Sequence, residues 1–325
     1  MVGGCCTEED YRGTRQDYQH RKIIWPLAIN FFLTMKKFLT IMLALAFAVG
    51  ASAQKTVSLE GADETVRLWD NSTAKHSNYE TKDEQWRNEK KTAVTHTSSC
   101  DLYIFKAAPE KNKGIAVAIF PGGGFTSVGM SVDTAKWYAS HGITAALVKY
   151  RLPNGGHKDA TLEDAMGAVR YLRTRTDLGV NPAKVGVTGS SAGGHIAAWV
   201  SNAMPDEEKP AFAIPLYPSI TRTEFYSTKK CNYALMGKKY CYQDAVDMSV
   251  QNMVTPQTPP TLLLLCDDDH TVPSHSSVTY YEALIRHGVK ASMHIFPSGG
   301  HGMKKNNDER CQIILDWIDW LGLTK

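Results

Sequence analysis

The stretch "VGVTGSSAGGHIAAW", residues 185–199, sets two adjacent serines among four glycines, between an apolar run and a helical pattern. The run "KVGVTG" (184–189) has the composition of a buried strand, and "AGGHIAAWVSNA" (192–203) that of a helix. Strand, sharp turn and helix in that order are the context in which G-x-S-x-G lifts its central serine above a sheet. A glycine two places before and two places after fits Ser191, whereas Ser190 has Thr188 and Ala192 in those places. Ser191 is therefore the candidate nucleophile, and Ser190 a packing or hydrogen-bonding neighbour. Glycines at 189 and 193 keep side chains out of the crowded turn, and the following helix N-terminus favours developing negative charge.

Working outward, short apolar runs alternate with helical patterns. "DLYIFKA" (101–107), "IAVAIF" (115–120), "ITAALVKY" (143–150), "AFAIPLY" (211–217), "PTLLLLC" (260–266) and "ASMHIF" (291–296) join 184–189 as strand candidates. Most are continuously apolar, as strands covered on both faces must be. Between them, "TLEDAMGAVRYLRTR" (161–175) places Leu162, Ala165, Val169 and Leu172 on one face and offers Thr161 and Asp164 as a capping box. "PSHSSVTYYEALIRHG" (273–288) and "ERCQIILDWIDWLG" (309–322) read as later helices. The alternation predicts one α/β domain built on a doubly wound, mostly parallel sheet over 101–325, after a polar lead-in at 54–100. Residues 218–259 break the rhythm and predict a lid-like excursion over the C-terminal ends of the strands, where ligands of such sheets bind.

A serine needs a base, and the base needs an acid to orient it. "LLLLCDDDHTVP" (262–273) and "FPSGGHGM" (296–303) supply both after late strands. His301, among Gly299, Gly300 and Gly302, is the candidate base; His270 is its rival, while His195 and His294 read as packing or hydrogen-bonding residues. Three adjacent buried carboxylates would be too costly, so at least one of Asp267, Asp268 and Asp269 is expected to cap a helix or bond loop amides. Asp269 is favoured, with Asp268 in reserve. Acyl transfer also creates an oxyanion, and "FPGGGF" (120–125) offers backbone amides unobstructed by side chains directly after a strand.

Composition agrees with a globular enzyme: 325 residues, 43% hydrophobic and 21% charged. Without residues 1–53, which hold six Lys/Arg and four Asp/Glu, the net charge of +3 falls to +1. Neither value suggests nucleic acid or an anionic membrane surface as partner. Cys231 and Cys241 stand ten apart in a polar segment where a local disulfide is plausible for an exported chain, whereas Cys266 and Cys311 read as buried thiols. No Cys/His spacing points to a metal, and no cofactor is implied.

"FPGGGF", "VKYRLP", "LEDAMGAVRYLR", "VTGSSAGGHIAA", "PLYP", "TPPTLLLLCDDDHTVP", "YYEALIRHGVKASMHIFPSGGHG" and "ILDWIDWL" resemble, in order and spacing, secreted bacterial α/β-hydrolases of the acetyl xylan and feruloyl esterase type. The resemblance implies the α/β-hydrolase fold. It places the acid at Asp269 through D-x-x-V-P and the base at His301 through GGHG. It makes oxyanion donors of the Gly123, Gly124 and Ala192 amides. Pro121 stands where the related lipases carry histidine, as in the carbohydrate-esterase branch. The expected activity is removal of acetyl, or feruloyl, groups from an acylated polysaccharide such as xylan by a Ser-His-Asp acyl-enzyme route. A prolyl-oligopeptidase-like peptidase, a lipase and a non-catalytic carbohydrate-binding protein are the rivals. Nothing in the residues reads out the oligomeric state.

"MKKFLTIMLALAFAVGASAQ" (35–54) has a basic start, an apolar stretch and an Ala51-Ser52-Ala53 cleavage site, the pattern of a secretory signal peptide over 35–53. The apolar stretch is short for a membrane span, so no stable membrane anchor is expected. Residues 1–34, with Cys5 and Cys6, then read as an upstream extension ahead of a true start at Met35. The expected location is secreted or periplasmic. The mass of exported protein should correspond to a chain beginning at Gln54; a terminus at Met1 or Met35 would overturn the assignment.

Overall fold

Strands form where Val, Ile, Leu and Ala run without a break, because only there can both faces of the backbone ribbon be covered. In this computed structural model, which describes residues 56–223, 227 and 229–325, all seven expected strands are present within two residues of their expected ends. The signal segment 35–53, its cleavage site and the extension 1–34 lie outside the described residues.

In chain order the elements begin with β1 (Glu64–Asp70), β2 (Gln85–Arg87), β3 (Ala93–Thr95), β4 (Ser99–Phe105), β5 (Ile115–Phe120) and β6 (Val128–Gly129). Next come α1 (Val132–Ser140), β7 (Ile143–Lys149), α2 (Lys158–Thr174), β8 (Val185–Ser190), α3 (Ala192–Ala203) and β9 (Ala213–Leu216). They end with α4 (Lys229–Met236), α5 (Tyr242–Asp247), β10 (Thr261–Cys266), α6 (His275–Arg286), β11 (Ala291–Phe296) and α7 (Asn307–Trp320). Eight strands make one sheet in the order β1-β4-β7-β5-β8-β9-β10-β11, and β2, β3 and β6 make a small second sheet. From β7 to β11 every pairing is parallel, while β1 and β4 run antiparallel at one edge. Parallel order brings the ends of β5, β8, β10 and β11 to one rim. The centre of the sheet is dry: Val117, Ala118, Ala146, Val187, Leu263 and Leu264 are fully buried.

The lead-in supplies more of this sheet than its polarity suggests. β1, "ETVRLWD", is half-buried along its whole length and so lacks an apolar signature. Its register puts Arg67 opposite Asp101 of β4, and Asp101 opposite Lys149 of β7. Asp101 accepts from Arg67 Nε at 2.7 Å and Nη2 at 3.1 Å, and pairs with Lys149 Nζ at 2.7 Å. Glu84 also pairs with Lys149. Three strands are thus stitched by one row of charges. Asp101 and Lys149 are fully buried, a state that charges reach only when paired.

A second buried network corrects the capping box. α2 starts at Lys158, three residues before Thr161, and neither Thr161 nor Asp164 caps it. Both are buried and turned to Arg151, just after β7. Thr161 Oγ1 donates to Arg151 O at 2.7 Å; Asp164 accepts from Arg151 N at 2.6 Å and Nη2 at 2.7 Å, and from Trp69 Nε1. Burial pushes the Asp164 carboxyl up, and the Arg151 guanidinium opposes that shift. Asp164→Asn would leave Arg151 inside with only Glu163, at 3.0 Å, as a carboxylate partner. Urea unfolding should show a loss of about 3 kcal/mol; a loss under about 1 kcal/mol would mean that the pair is not needed to hold the β7–α2 junction.

Candidate active site

The turn at Ser191 is a strained one. Its φ of 55° and ψ of −118° lie where a residue with a side chain rarely rests. The surroundings hold it there. A Cβ added at Gly193 would fall 1.9 Å from Phe120 O, and one at Gly189 would fall 2.2 Å from Gly193 O, so the elbow closes only with glycine at both places. Ser191 N donates to Leu216 O at 3.0 Å, and Ser191 O accepts from Ser219 N at 3.3 Å. The end of β9 therefore clasps the turn between β8 and α3.

His301 and Asp269 reach this serine from the loops after β11 and β10. His301 Nε2 lies 3.0 Å from Ser191 Oγ, and His301 Nδ1 lies 2.8 Å from Asp269 Oδ2. The other carboxylate oxygen, Oδ1, accepts from Thr271 N at 2.8 Å and Val272 N at 2.9 Å. Burial alone would raise the Asp269 carboxyl, but the His301 hydrogen bond and the Val272 and Thr271 amides outweigh it and hold the group below the usual carboxylate range. Asp269 is thus a buried acceptor that fixes which imidazole nitrogen faces the serine.

Of the three aspartates only Asp269 is buried. Asp268, exposed, accepts from Gly299 N at 3.1 Å and Gly300 N at 2.7 Å, and these amides lower its carboxyl. It ties down the loop that carries His301. The rival His270 is exposed and His294 sits in β11 beside Ser292. His195 is buried with Nδ1 2.9 Å from Ser219 O, and burial holds it well below its ordinary value, so it stays neutral at neutral pH.

The glycine loop after β5 closes over the elbow. A Cβ on Gly122 would meet Ser190 O at 2.8 Å and Ser191 Cβ at 3.2 Å. Gly123 (φ 145°) and Gly124 (φ 62°) then turn the chain through conformations that favour glycine. Among the described residues, the amides of Gly123, Gly124 and Ala192 donate to no protein backbone acceptor. Tyr150, fully buried, donates its hydroxyl to Pro121 O at 2.8 Å and anchors the loop from below. Nothing in the sequence singles that residue out, because a tyrosine ending a strand reads as core.

The excursion at 218–259 packs beside this loop. The Arg222 guanidinium lies 5.2 Å from the Phe125 ring centroid, and Cys231 Sγ stands 3.5 Å from where a Gly124 Cβ would be. Cys231 on α4 and Cys241 at the start of α5 are not bonded to each other, so the plausible disulfide does not form. The two thiols belong to different helices: Cys231 turns to the core while Cys241 is exposed. Cys266 is a buried free thiol as expected, and Cys311 is free but only half-buried. Among the described residues, no three His, Cys, Asp or Glu side chains group to hold a metal ion. No described helix is long and apolar enough to cross a membrane.

Residues 150–323 match the prolyl oligopeptidase family. An acetylxylan esterase of Xylanibacter ruminicola is 32% identical over 224 residues, covering 65% of this chain and 46% of that protein. Endo-1,4-beta-xylanase B of Butyrivibrio fibrisolvens is 28% identical over 160 residues, covering 46% of this chain and 25% of that protein. The chain thus spans less than half the length of these curated relatives. Among solved structures, an acetyl ester-xyloside bifunctional hydrolase from Caldicellulosiruptor lactoaceticus superposes with a TM-score of 0.64 at 29% identity, covering 69% of this chain and 89% of that one. The carboxylesterase Cest-2923 from Lactobacillus plantarum WCFS1 gives 0.60 at 23% identity over 74% and 98% of the two chains, a likeness of fold.

The two neighbouring aspartates should separate in kinetics on a small ester. Asp269→Asn should lower kcat by about 10⁴-fold with folding intact, because the imidazole loses its orienting charge. Asp268→Asn should cost about tenfold or less, since it only loosens the loop. Equal losses would contradict the division of roles.

Proposed function

This chain belongs to the prolyl oligopeptidase family, and from that premise we propose that it is a serine esterase which removes acetyl groups from hemicellulose such as xylan. The observation that carries the proposal is the continuous relay Ser191 Oγ, His301 Nε2, His301 Nδ1, Asp269 Oδ2, with steps of 3.0 and 2.8 Å, beneath a glycine loop with free amides. The acetylxylan esterase among its relatives supports acetylated xylan as substrate.

In the proposed cycle, His301 takes the Ser191 proton as Oγ attacks the ester carbonyl. The resulting oxyanion is held by the Gly123, Gly124 and Ala192 amides at the N-terminus of α3, where the helix dipole favours negative charge. His301, now an imidazolium stabilised by Asp269, gives its proton to the departing sugar oxygen and the acyl-enzyme remains. Water, deprotonated by His301, attacks that acyl carbon. Collapse releases acetate and returns the proton to Ser191. Export through the leader at 35–53 belongs to the same proposal, since a polymeric substrate lies outside the cell.

Acetate release from acetylated xylan tests the reading. The wild type should release acetate, and Ser191→Ala should lower kcat by about 10⁶-fold with the fold intact. Release of ferulate instead would move the acyl preference to the bulkier group. Cleavage of peptides without ester hydrolysis would replace the esterase by a peptidase.

A further inference from the structure

The segment Pro215-Leu216-Tyr217-Pro218 does more than end β9. Leu216 O accepts the Ser191 amide, and a Cβ added at Gly194 would lie 2.9 Å from Pro218 Cβ, so the segment is pressed against the elbow from both sides of Tyr217. Tyr217 itself has a φ of 34°. A bulky side chain adopts that left-handed backbone only where the surroundings over-determine it, and such strain gathers at functional sites. The Tyr217 amide is pinned to Leu264 O at 2.7 Å, within the neighbouring β10.

This backbone aims the ring at the catalytic base. The Tyr217 and His301 ring centroids are 4.8 Å apart, with planes inclined at 68°, an edge-to-face contact. A cavity of about 430 Å³ is lined among others by Tyr217, Ser190, Gly302, Asn307 and Arg310, but not by His301. Ser190, the residue before the proposed nucleophile, lines with Tyr217 the same cavity. A polar cavity of that size admits water. Tyr217 thus borders both the cavity and, through its ring, the imidazole.

We propose that Tyr217 is a positioning residue for His301. Its ring restricts rotation of the half-exposed imidazole away from the Ser191–Asp269 line and separates it from the cavity that the tyrosine, but not the histidine, lines; the backbone pinned at Leu216, Tyr217 and Pro218 sets the place of the ring. The two in-line hydrogen bonds leave the imidazole free to tip about their common axis, and a displacement near 1 Å costs about 100-fold in rate. The inference rests on Ser191 being the nucleophile proposed above, and not on which ester is the natural substrate.

The test uses full-length chain, with kcat and KM on p-nitrophenyl acetate and the rate of covalent labelling of Ser191 by a fluorophosphonate. Tyr217→Leu should lower kcat by about 30-fold, with KM within about twofold, and labelling should slow in parallel. Tyr217→Phe keeps the ring and should retain kcat within about threefold. If Tyr217→Leu does not fold, Tyr217→Asn removes the ring while tolerating the left-handed backbone, and should show the same loss. The proposal is overturned if a folded ring-less variant keeps kcat within about twofold, if its loss lies only in KM, or if Tyr217→Phe loses as much as Tyr217→Leu. A wild type that neither turns over nor labels overturns the esterase and this inference together, so the two failures carry different signatures.

Discussion

The site depends first on the close approach of the Ser191 turn to the end of β5. With 1.9 Å between Phe120 O and a Cβ at Gly193, no residue but glycine lets α3 dock where it does. That docking holds Ser191 at φ 55° and presents its Oγ above the rim of the sheet. It also brings the glycine loop, which continues from Phe120, within van der Waals reach of the serine. The Ser191 turn and the glycine loop are therefore placed by one steric fit. The remaining partners arrive by parallel strand order, which sets the loops after β10 and β11 beside the same rim.

Around this fit the polar groups divide by burial. Asp269 is inside and spends both carboxylate oxygens on partners, one on the imidazole and one on two loop amides. Asp268, one residue earlier, is exposed and holds the histidine loop through Gly299 and Gly300. Away from the site, Arg67, Asp101 and Lys149 cross three strands, and Arg151 gathers Asp164, Glu163 and Thr161. Such buried pairs are poor sources of net stability, but each is costly to break. They join the antiparallel edge and α2 to the parallel core.

The parallel strands are legible because burial on both faces demands uninterrupted apolar side chains, a pattern carried by each segment alone. β1 is not, since an edge strand that is half-buried throughout mixes Glu, Thr, Arg and Trp. The Thr161/Asp164 capping box misleads for a related reason: the spacing suits a helix start, yet both side chains are claimed by Arg151, ten or more residues away in sequence. The Cys231–Cys241 pair is compatible with a bridge by spacing, but α4 and α5 turn the two thiols to different surroundings.

By itself the sequence determined the α/β alternation and singled out Ser191 over Ser190, His301 and the glycine loop as the candidate site. Each depends on local chemistry: apolar runs, a glycine frame, and residue types whose reactivity is intrinsic. Only the tertiary structure decided that Asp269 is buried against the imidazole while Asp268 is not, that Tyr150 anchors the glycine loop, and that the Tyr217 ring packs edge-to-face on His301. Burial, contact and hydrogen-bond partners are properties of groups brought together from distant strands, and no window of sequence contains them.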